Sequence, residues 1–313
     1  MPFVLQKLGR ALLTLWAVVT FVFFALRISG DPVLAILPPS APLETIEFYR
    51  RAWGLDRSLW QQYLLYLANI LEGNLGRSFL EGRDAVDVVF ERIPKTLALM
   101  LPALFLTLVI GIPAGAIAAL NHNTPIDRAV IVAAVFGYSV PNFFLGVLLI
   151  FLFSVVFRVL PTSGSDTIWH YIMPVATIAL SWVGIYARFV RSTVLEVLQQ
   201  HYIEGATAKG LPWARVVRLH ALPNAAIPVV TVAGFMVGGL IGGAIVSETV
   251  FAWPGVGQLL VNSVNTRDLA VVQVIVLLIA STMIASNLLV DLLYGWLDPR
   301  VRLTAARSSV IEA

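Results

Sequence analysis

The chain has 313 residues, of which 58% are hydrophobic and 12% charged. A water-soluble domain carries about 25% charged residues, so this chain, with a mean hydropathy of +0.86, has too little polar surface to cover a soluble globule. The formal charge of +3 is small and better explained by basic cytoplasmic loops than by a nucleic-acid surface, and the absence of cysteine excludes disulfides, thiolate metal sites and a thiol nucleophile.

An apolar run of about 18 residues or more can cross a bilayer as a helix. The first such run extends from about Ala11 to Ile28. Lys7 and Arg10 before it would also suit a secretory signal peptide. However, no small-x-small cleavage site follows at Arg27-Ile28-Ser29-Gly30-Asp31, so it reads as a span. A long polar segment comes next. Within it Trp60, Tyr63, Leu64, Leu67, Ile70 and Leu71 recur at helical spacing, which predicts a short amphipathic helix ending near Gly73, with turns at Gly73-Asn74 and Gly76. The second and third spans are expected at Leu97–Leu120 and Ala129–Phe157. Pro141 inside the third removes a backbone donor and should kink it. Ser139, Pro141 and Asn142 there are either a structural kink or a polar step in a pathway. The fourth span covers about Ile172–Val190 and the fifth Ala225–Val250. Gly234, Gly238 and Gly242 form a GxxxG series on the fifth, suited to close backbone approach within the chain or against a partner. Glu248 is expected near its outer end, in a gate or hydrogen-bonding role or in contact with a solute. The sixth span is Ala270–Val290, with Asp291 at its inner interface.

Lysine and arginine bias of short loops sets orientation. With the N-terminus in the cytoplasm, the connection between spans four and five carries Arg188, Arg191, Lys209, Arg215 and Arg218, and the tail carries Arg300, Arg302 and Arg307. The two short outer connections carry only Arg158 and Arg267. The expected organisation is a cytoplasmic N-terminus and first helix at 1–28, and an external segment at 29–95. A five-helix core at 96–303 follows, holding a cytoplasmic loop at about 191–224, and then a cytoplasmic tail at 304–313. The fold class is therefore all-α integral membrane, with six transmembrane helices and both ends inside.

The connection between spans four and five is the most informative segment. Ile203 to Lys209 favours a helix, Gly210 suits a left-handed helix end, and Pro212 suits the first turn of the next helix. That helix sets Val216, Val217 and Leu219 against Arg215 and Arg218, and Pro223 is expected to end it. This segment resembles the EAA loop of binding-protein-dependent ABC importer permeases. Glu204, Ala206, Gly210, Leu222 and Pro223 fall at the family spacing, whereas Gly205 replaces the first alanine and His220 the usual isoleucine. Tyr202 with Ala206, Ala208, Lys209, Gly210 and Leu211 resembles the dipeptide/oligopeptide branch. So do Arg188, Arg191 and Ser192, the Glu248-Thr249-Val250-Phe251 run before Trp253-Pro254-Gly255-Val256-Gly257, and the tail Leu297-Asp298-Pro299-Arg300-Val301-Arg302. The long segment after the first helix is similar to that of the first, B-type, permease of such systems.

The resemblance implies a type I ABC importer permease fold. It implies partnership with a similar second permease, two cytoplasmic ATPase subunits and an extracytoplasmic binding protein, in a bacterial inner membrane. Tyr202, Glu204, Ala206, Ala208, Lys209, Gly210, Leu211, Leu222 and Pro223 would form the ATPase-coupling surface. No cofactor is expected on this chain; ATP and Mg²⁺ are expected on the ATPases. The implied cargo is a di- or oligopeptide, with nickel chelates, glutathione and opines handled by the same branch. No G-x-x-x-x-G-K-[ST], H-E-x-x-H or G-x-S-x-G occurs, which argues against an enzyme. A stand-alone secondary transporter or channel is the alternative class, weakened by the lack of an internal repeat.

Overall fold

The computed structural model describes residues 2–28, 30, 31, 33, 34, 37, 38 and 40–297, with side chains over 6–291 of that set. The tail motif from Asp298 to Arg302, and Arg307, lie outside the described residues. In chain order the helices are α1 (Pro2–Ile28), α2 (Leu43–Ala52), α3 (Leu59–Leu71), α4 (Ala85–Phe90) and α5 (Ile93–Leu120). Then come α6 (Pro125–Ser139), α7 (Asn142–Leu149, extended by a π turn over Ile150–Val156) and α8 (Trp169–Leu198). Two short helices, α9 (His201–Ala208) and α10 (Trp213–Val216), lead through a π turn at Val217–Ala221 into α11 (Leu222–Gly238). The last elements are α12 (Ile245–Val250), α13 (Val256–Asn265) and α14 (Leu269–Leu297).

Gln6–Ile28, Ala85–Leu120, Trp169–Leu198, Trp213–Gly238 and Leu269–Asp291 are each long and apolar enough to cross a membrane. The bent pair α6–α7 makes a sixth span if taken as one. The kink expected at Pro141 is a break of 93°. Val140 is extended, at φ −81° and ψ 120°, as steric conflict with the following proline ring requires.

The fifth span departs from expectation. It was expected to run unbroken over Ala225–Val250, but its helix stops at Gly238 and a 3₁₀ turn at Gly242–Ala244 intervenes before α12. Gly238, Gly239, Gly242 and Gly243 crowd this point, and each glycine costs a helix about 1 kcal/mol relative to alanine. Gly242 therefore leaves the face shared by Gly234 and Gly238. Those two pack against α14 of the same chain. A Cβ on Gly238 would lie 2.8 Å from Ser286 Cβ, a Cβ on Gly234 would collide with Val290, and the Ser286 hydroxyl donates to the Gly234 carbonyl at 2.6 Å. Gly234 and Gly238 thus make close contacts within the chain.

The start of this span also differs. Pro223 does not end the preceding helix; helical backbone continues from Trp213 to Gly238. The π turn widens the backbone just before the proline, relieving the ring's conflict with the preceding turn. Asn224 Nδ2 donates to the His220 carbonyl at 2.6 Å, occupying an acceptor in that turn.

Met1–Thr96 with Pro254–Thr282 forms one compact unit, and Leu97–Trp253 with Met283–Ala313 forms another. In the first, α3 is the amphipathic helix expected from its spacing. Ser58 and Gln61 close a capping box at its start, and Gly73 and Gly76 take positive φ of 79° and 87° beyond its end. Its Tyr63 hydroxyl pairs with Thr20 of α1 at 2.7 Å, and Tyr66 stacks on Phe23 at 5.3 Å. Ser78 donates to buried Asp268 at 2.5 Å, and Thr96 Oγ1 accepts from the Val256 amide at 2.8 Å. In the second unit, Leu99, Met100, Ala103, Val175, Ile178, Leu240 and Trp253 form a buried core. α6 lies against α8 at very short range. A Cβ on Gly184 would stand 2.5 Å from the Ala134 carbonyl oxygen, and one on Gly137 2.8 Å from that of Leu180.

Candidate coupling site

α8 delivers the chain into the loop. Its helix ends at Leu198, and Gln200 is extended at ψ 143° before α9 begins. Ile203 and Ala206 turn inward and join Val216 and Ala221, with Val197, Leu198 and Leu211 packed against them. This small apolar base ties α9 both to the end of α8 and to the helix that follows. Tyr202, Glu204, Ala208 and Lys209 are left on the exposed side.

Gly210 closes α9 with a positive φ of 79°. The Gly210 amide donates to the Thr207 carbonyl at 2.9 Å, and the Leu211 amide reaches back to the Ala206 carbonyl at 3.4 Å. These two bonds, with Ala206 and Leu211 in the same apolar base, make a Schellman ending. Nothing lies within 4 Å of a Cβ built on Gly210, so glycine is needed there for its backbone angle and not for space. A Cβ on Gly205 also meets nothing within 4 Å, so an alanine would be accommodated at that family position.

Glu204 sits in the first turn of α9, where a carboxylate favours the helix dipole. Its Oε2 lies 3.4 Å from His201 Nδ1, with side-chain exposures of 73% and 100%, so this contact is worth little to stability. Burial raises the phenol of Tyr202 above its ordinary value. Leu222 and Pro223 are exposed at the start of α11, and Leu211 is half-buried beneath α9. Of the coupling residues read from the sequence, then, Ala206 and Leu211 build the base, and Tyr202, Glu204, Ala208, Lys209, Gly210, Leu222 and Pro223 are presented outward.

A second cluster stands about two turns up α8 from the loop, and sequence reasoning missed half of it. Arg191 Nε and Nη2 donate to the two oxygens of Asp127 at 2.5 and 2.8 Å. Asp127 also accepts from the Asn123 amide at 2.9 Å, and His122 Nδ1 lies 3.3 Å from it. Thr124 caps α6, so the N3 position puts the Asp127 carboxylate at the helix start. The Thr-Pro-x-Asp start of α6 was the available signal; nothing in the sequence linked it to Arg191. Arg188, from the same matched motif, donates to the Tyr138 hydroxyl at 2.8 Å.

The residues read as a possible pathway are not brought into one site. Asn142 Oδ1 accepts from Ser181 at 2.5 Å, and Ser181 also reaches the Gly137 carbonyl at 3.2 Å, so this polar group bridges the α6–α7 break to α8. Ser139 and Pro141 are exposed beside it. Glu248 is on α12 and not at the outer end of an unbroken fifth helix. Its residue is fully buried, and its carbonyl accepts from the Trp253 amide at 2.8 Å.

Two family models match the chain. Residues 111–303 match the binding-protein-dependent transport system inner membrane component, and residues 1–100 match the N-terminal part of such membrane components. The glutathione transport system permease protein GsiC of Escherichia coli strain K12 is 40% identical over 301 residues, covering 96% of this chain and 98% of that one. GsiC of Escherichia coli O6:H1 is 41% identical over the same length and coverage. Among solved structures, an inward-facing form of the MetNI methionine ABC transporter aligns with a TM-score of 0.52 at 22% identity, over 65% of this chain and 95% of that one. An amino acid ABC transporter crystallised with histidines aligns at 0.54 and 17% identity, over 67% and 94%. At these identities the structures speak for the fold, that of ABC importer permeases.

Proposed function

The chain belongs to the binding-protein-dependent inner membrane components, the permease subunits of ABC importers, and from that premise we propose that α9 is its ATPase-coupling helix. The observation that carries this reading is the arrangement of α9: a short helix seated on an apolar base, sealed by Gly210, with Tyr202, Glu204, Ala208 and Lys209 outward. That is a rigid knob on the end of α8, suited to a groove on another subunit. A partner that closes on ATP would move α9 and α8 together, because the base leaves little slack between them. The two states then differ by the contacts each makes, which is what a switch requires.

In this reading the loop and both termini face the cytoplasm. ATP and Mg²⁺ bind the partner ATPases, and this chain turns over no nucleotide. A second permease completes the pathway, and a binding protein delivers the cargo to the outer side. The likeness to glutathione permeases supports a small peptide-like solute as cargo. The test is reconstitution of the chain with its second permease, ATPases and binding protein in proteoliposomes. Peptide uptake is expected only with ATP and all subunits present, and the purified chain alone is expected to hydrolyse none. ATP turnover by the chain alone, or uptake indifferent to ATP, would overturn the proposal.

Orientation has its own test, helped by the absence of native cysteine. Arg215 and Glu72 are both exposed. In intact spheroplasts, an impermeant maleimide is expected to label Glu72→Cys and to reach Arg215→Cys only after permeabilisation. The reverse pattern would invert the topology.

A further inference from the structure

We propose that an arginine-lined cavity between α1, α3 and the start of α14 binds the carboxylate of an anionic solute on its way into the pathway. The inference rests on the importer reading above and adds the chemical class of what that importer accepts. The cavity has a volume of about 350 Å³ and is lined by Arg27, Arg51, Arg57 and Arg77, with no aspartate or glutamate in its wall. These arginines come from three separate stretches of the chain, so their convergence is made by the fold. A positive end to a membrane span would need only Arg27.

The state of the arginines points to a ligand. Nε and Nη1 of Arg27 are buried and have no hydrogen-bond partner. Its guanidinium lies over the Phe23 ring at 5.4 Å, a contact that fixes the group without using those donors. Arg51 bonds Glu47 at 3.0 Å, and Arg77 donates to the Gly82 carbonyl at 2.7 Å and lies 3.6 Å from Asp84; all four side chains of the two ion pairs are more than half exposed. Such surface pairs are weak, so a better anion can displace them. No ion pair holds Arg57 among the described residues. Leaving buried donors unpaired is costly, and a carboxylate matches the fork of a guanidinium bidentately.

Neutral donors complete the wall. Asn69, Asn74, Gln273 and Tyr66 line the same space. Asn74 Oδ1 is engaged by the Gly76 amide at 3.0 Å, which fixes that side chain's orientation. Burial pushes the Tyr66 phenol up to about 12, so it stays a neutral donor. A cavity near the lower end of the usual ligand-site range of roughly 300–1,000 Å³ suits one end of a short peptide. With four arginines and no carboxylate in its wall, the cavity disfavours a bare metal cation or an ammonium group.

The test uses the complete permease–ATPase complex in nanodiscs without binding protein, with glutathione and glutathione diethyl ester as probes in titration calorimetry. Glutathione is expected to bind, and the ester, which lacks the carboxylates, about tenfold or more weaker. Arg57→Gln, at an exposed position that folding tolerates, and Arg27→Gln are each expected to weaken glutathione binding by about tenfold. Arg83→Gln, whose arginine lies outside the cavity and pairs with Glu81 and Glu91, is expected to leave it unchanged. Equal binding of the two probes, no binding of glutathione, or no effect of Arg57→Gln would overturn the proposal. So would a parallel titration with the binding protein in which Arg57→Gln weakened only its docking and left glutathione binding intact, since the cavity would then meet a protein surface. ATP-dependent uptake by the wild-type complex with its binding protein in proteoliposomes, measured in parallel, separates failure of the cavity from failure of the importer reading.

Discussion

Gly210→Val and Glu204→Lys are expected to leave the permease inserted and paired, while ATPase co-purification and uptake collapse. The physical case for Gly210 is a backbone one. At φ 79° a β-branched residue is strained, by about 1–2 kcal/mol. The strain can be relieved by unwinding the end of α9, because nothing lies within 4 Å of a side chain placed there. Unwinding would release Leu211 from the apolar base and shift the exposed face of α9. Glu204 makes no contact that the membrane core needs, and its loss from the helix start costs α9 about 0.3–1 kcal/mol. Neither change threatens a helix bundle held by its buried core. At a docked interface the scale differs: a central residue contributes about 2 kcal/mol or more, roughly thirtyfold in affinity. Membrane yield, ATPase co-purification and uptake should be followed on the same preparations. Uptake at wild-type rate with normal co-purification in both variants would remove α9 from the coupling role. Gly205→Ala is the matched control, since its new methyl group meets open space.

Much of this loop was legible in sequence because each part of it is local. A glycine followed by Leu-Pro, directly after a run of helix formers, specifies a left-handed ending whatever lies elsewhere. The same holds for α3, where apolar spacing and the Ser58–Gln61 box act within one helix. The spans follow from composition and length. What could not be read is what depends on pairing across the chain. Gly234, Gly238 and Gly242 share a face only if the helix continues, and four glycines in six positions stop it. The GxxxG period was correct, but its premise of an unbroken helix was not. Pro223 shows the reverse error, because a π turn carries the helix through a residue that usually ends one. The cavity arginines at 27, 51, 57 and 77 have no common period, and only the fold gathers them.

Asp127→Asn and Arg191→Gln are expected to damage the protein unequally, with Arg191→Gln the worse. The pair joins the start of α6 to α8 a short distance before α8 enters the coupling loop. Side-chain exposure is 4% for Asp127 and 21% for Arg191. Removing one member of a buried pair costs about 3–5 kcal/mol, mostly because the other charge is left without a partner. Arg191→Gln leaves the carboxylate enclosed, with the Asn123 amide and His122 as its remaining neighbours. Asp127→Asn leaves a guanidinium that can still turn toward water, so its cost should be smaller. The double variant should be less damaged than the sum of the singles, because no charge is then stranded. Thermal unfolding of the purified complex measures this order. Equal losses, or strict additivity, would show that the two residues do not act as a pair. A second readout tests their mechanical role. If the pair carries the motion of α8 into α6, the double variant should hydrolyse ATP at a near-normal rate yet move less solute per ATP. A pair that served stability alone would lower both together, in proportion to the complex that survives.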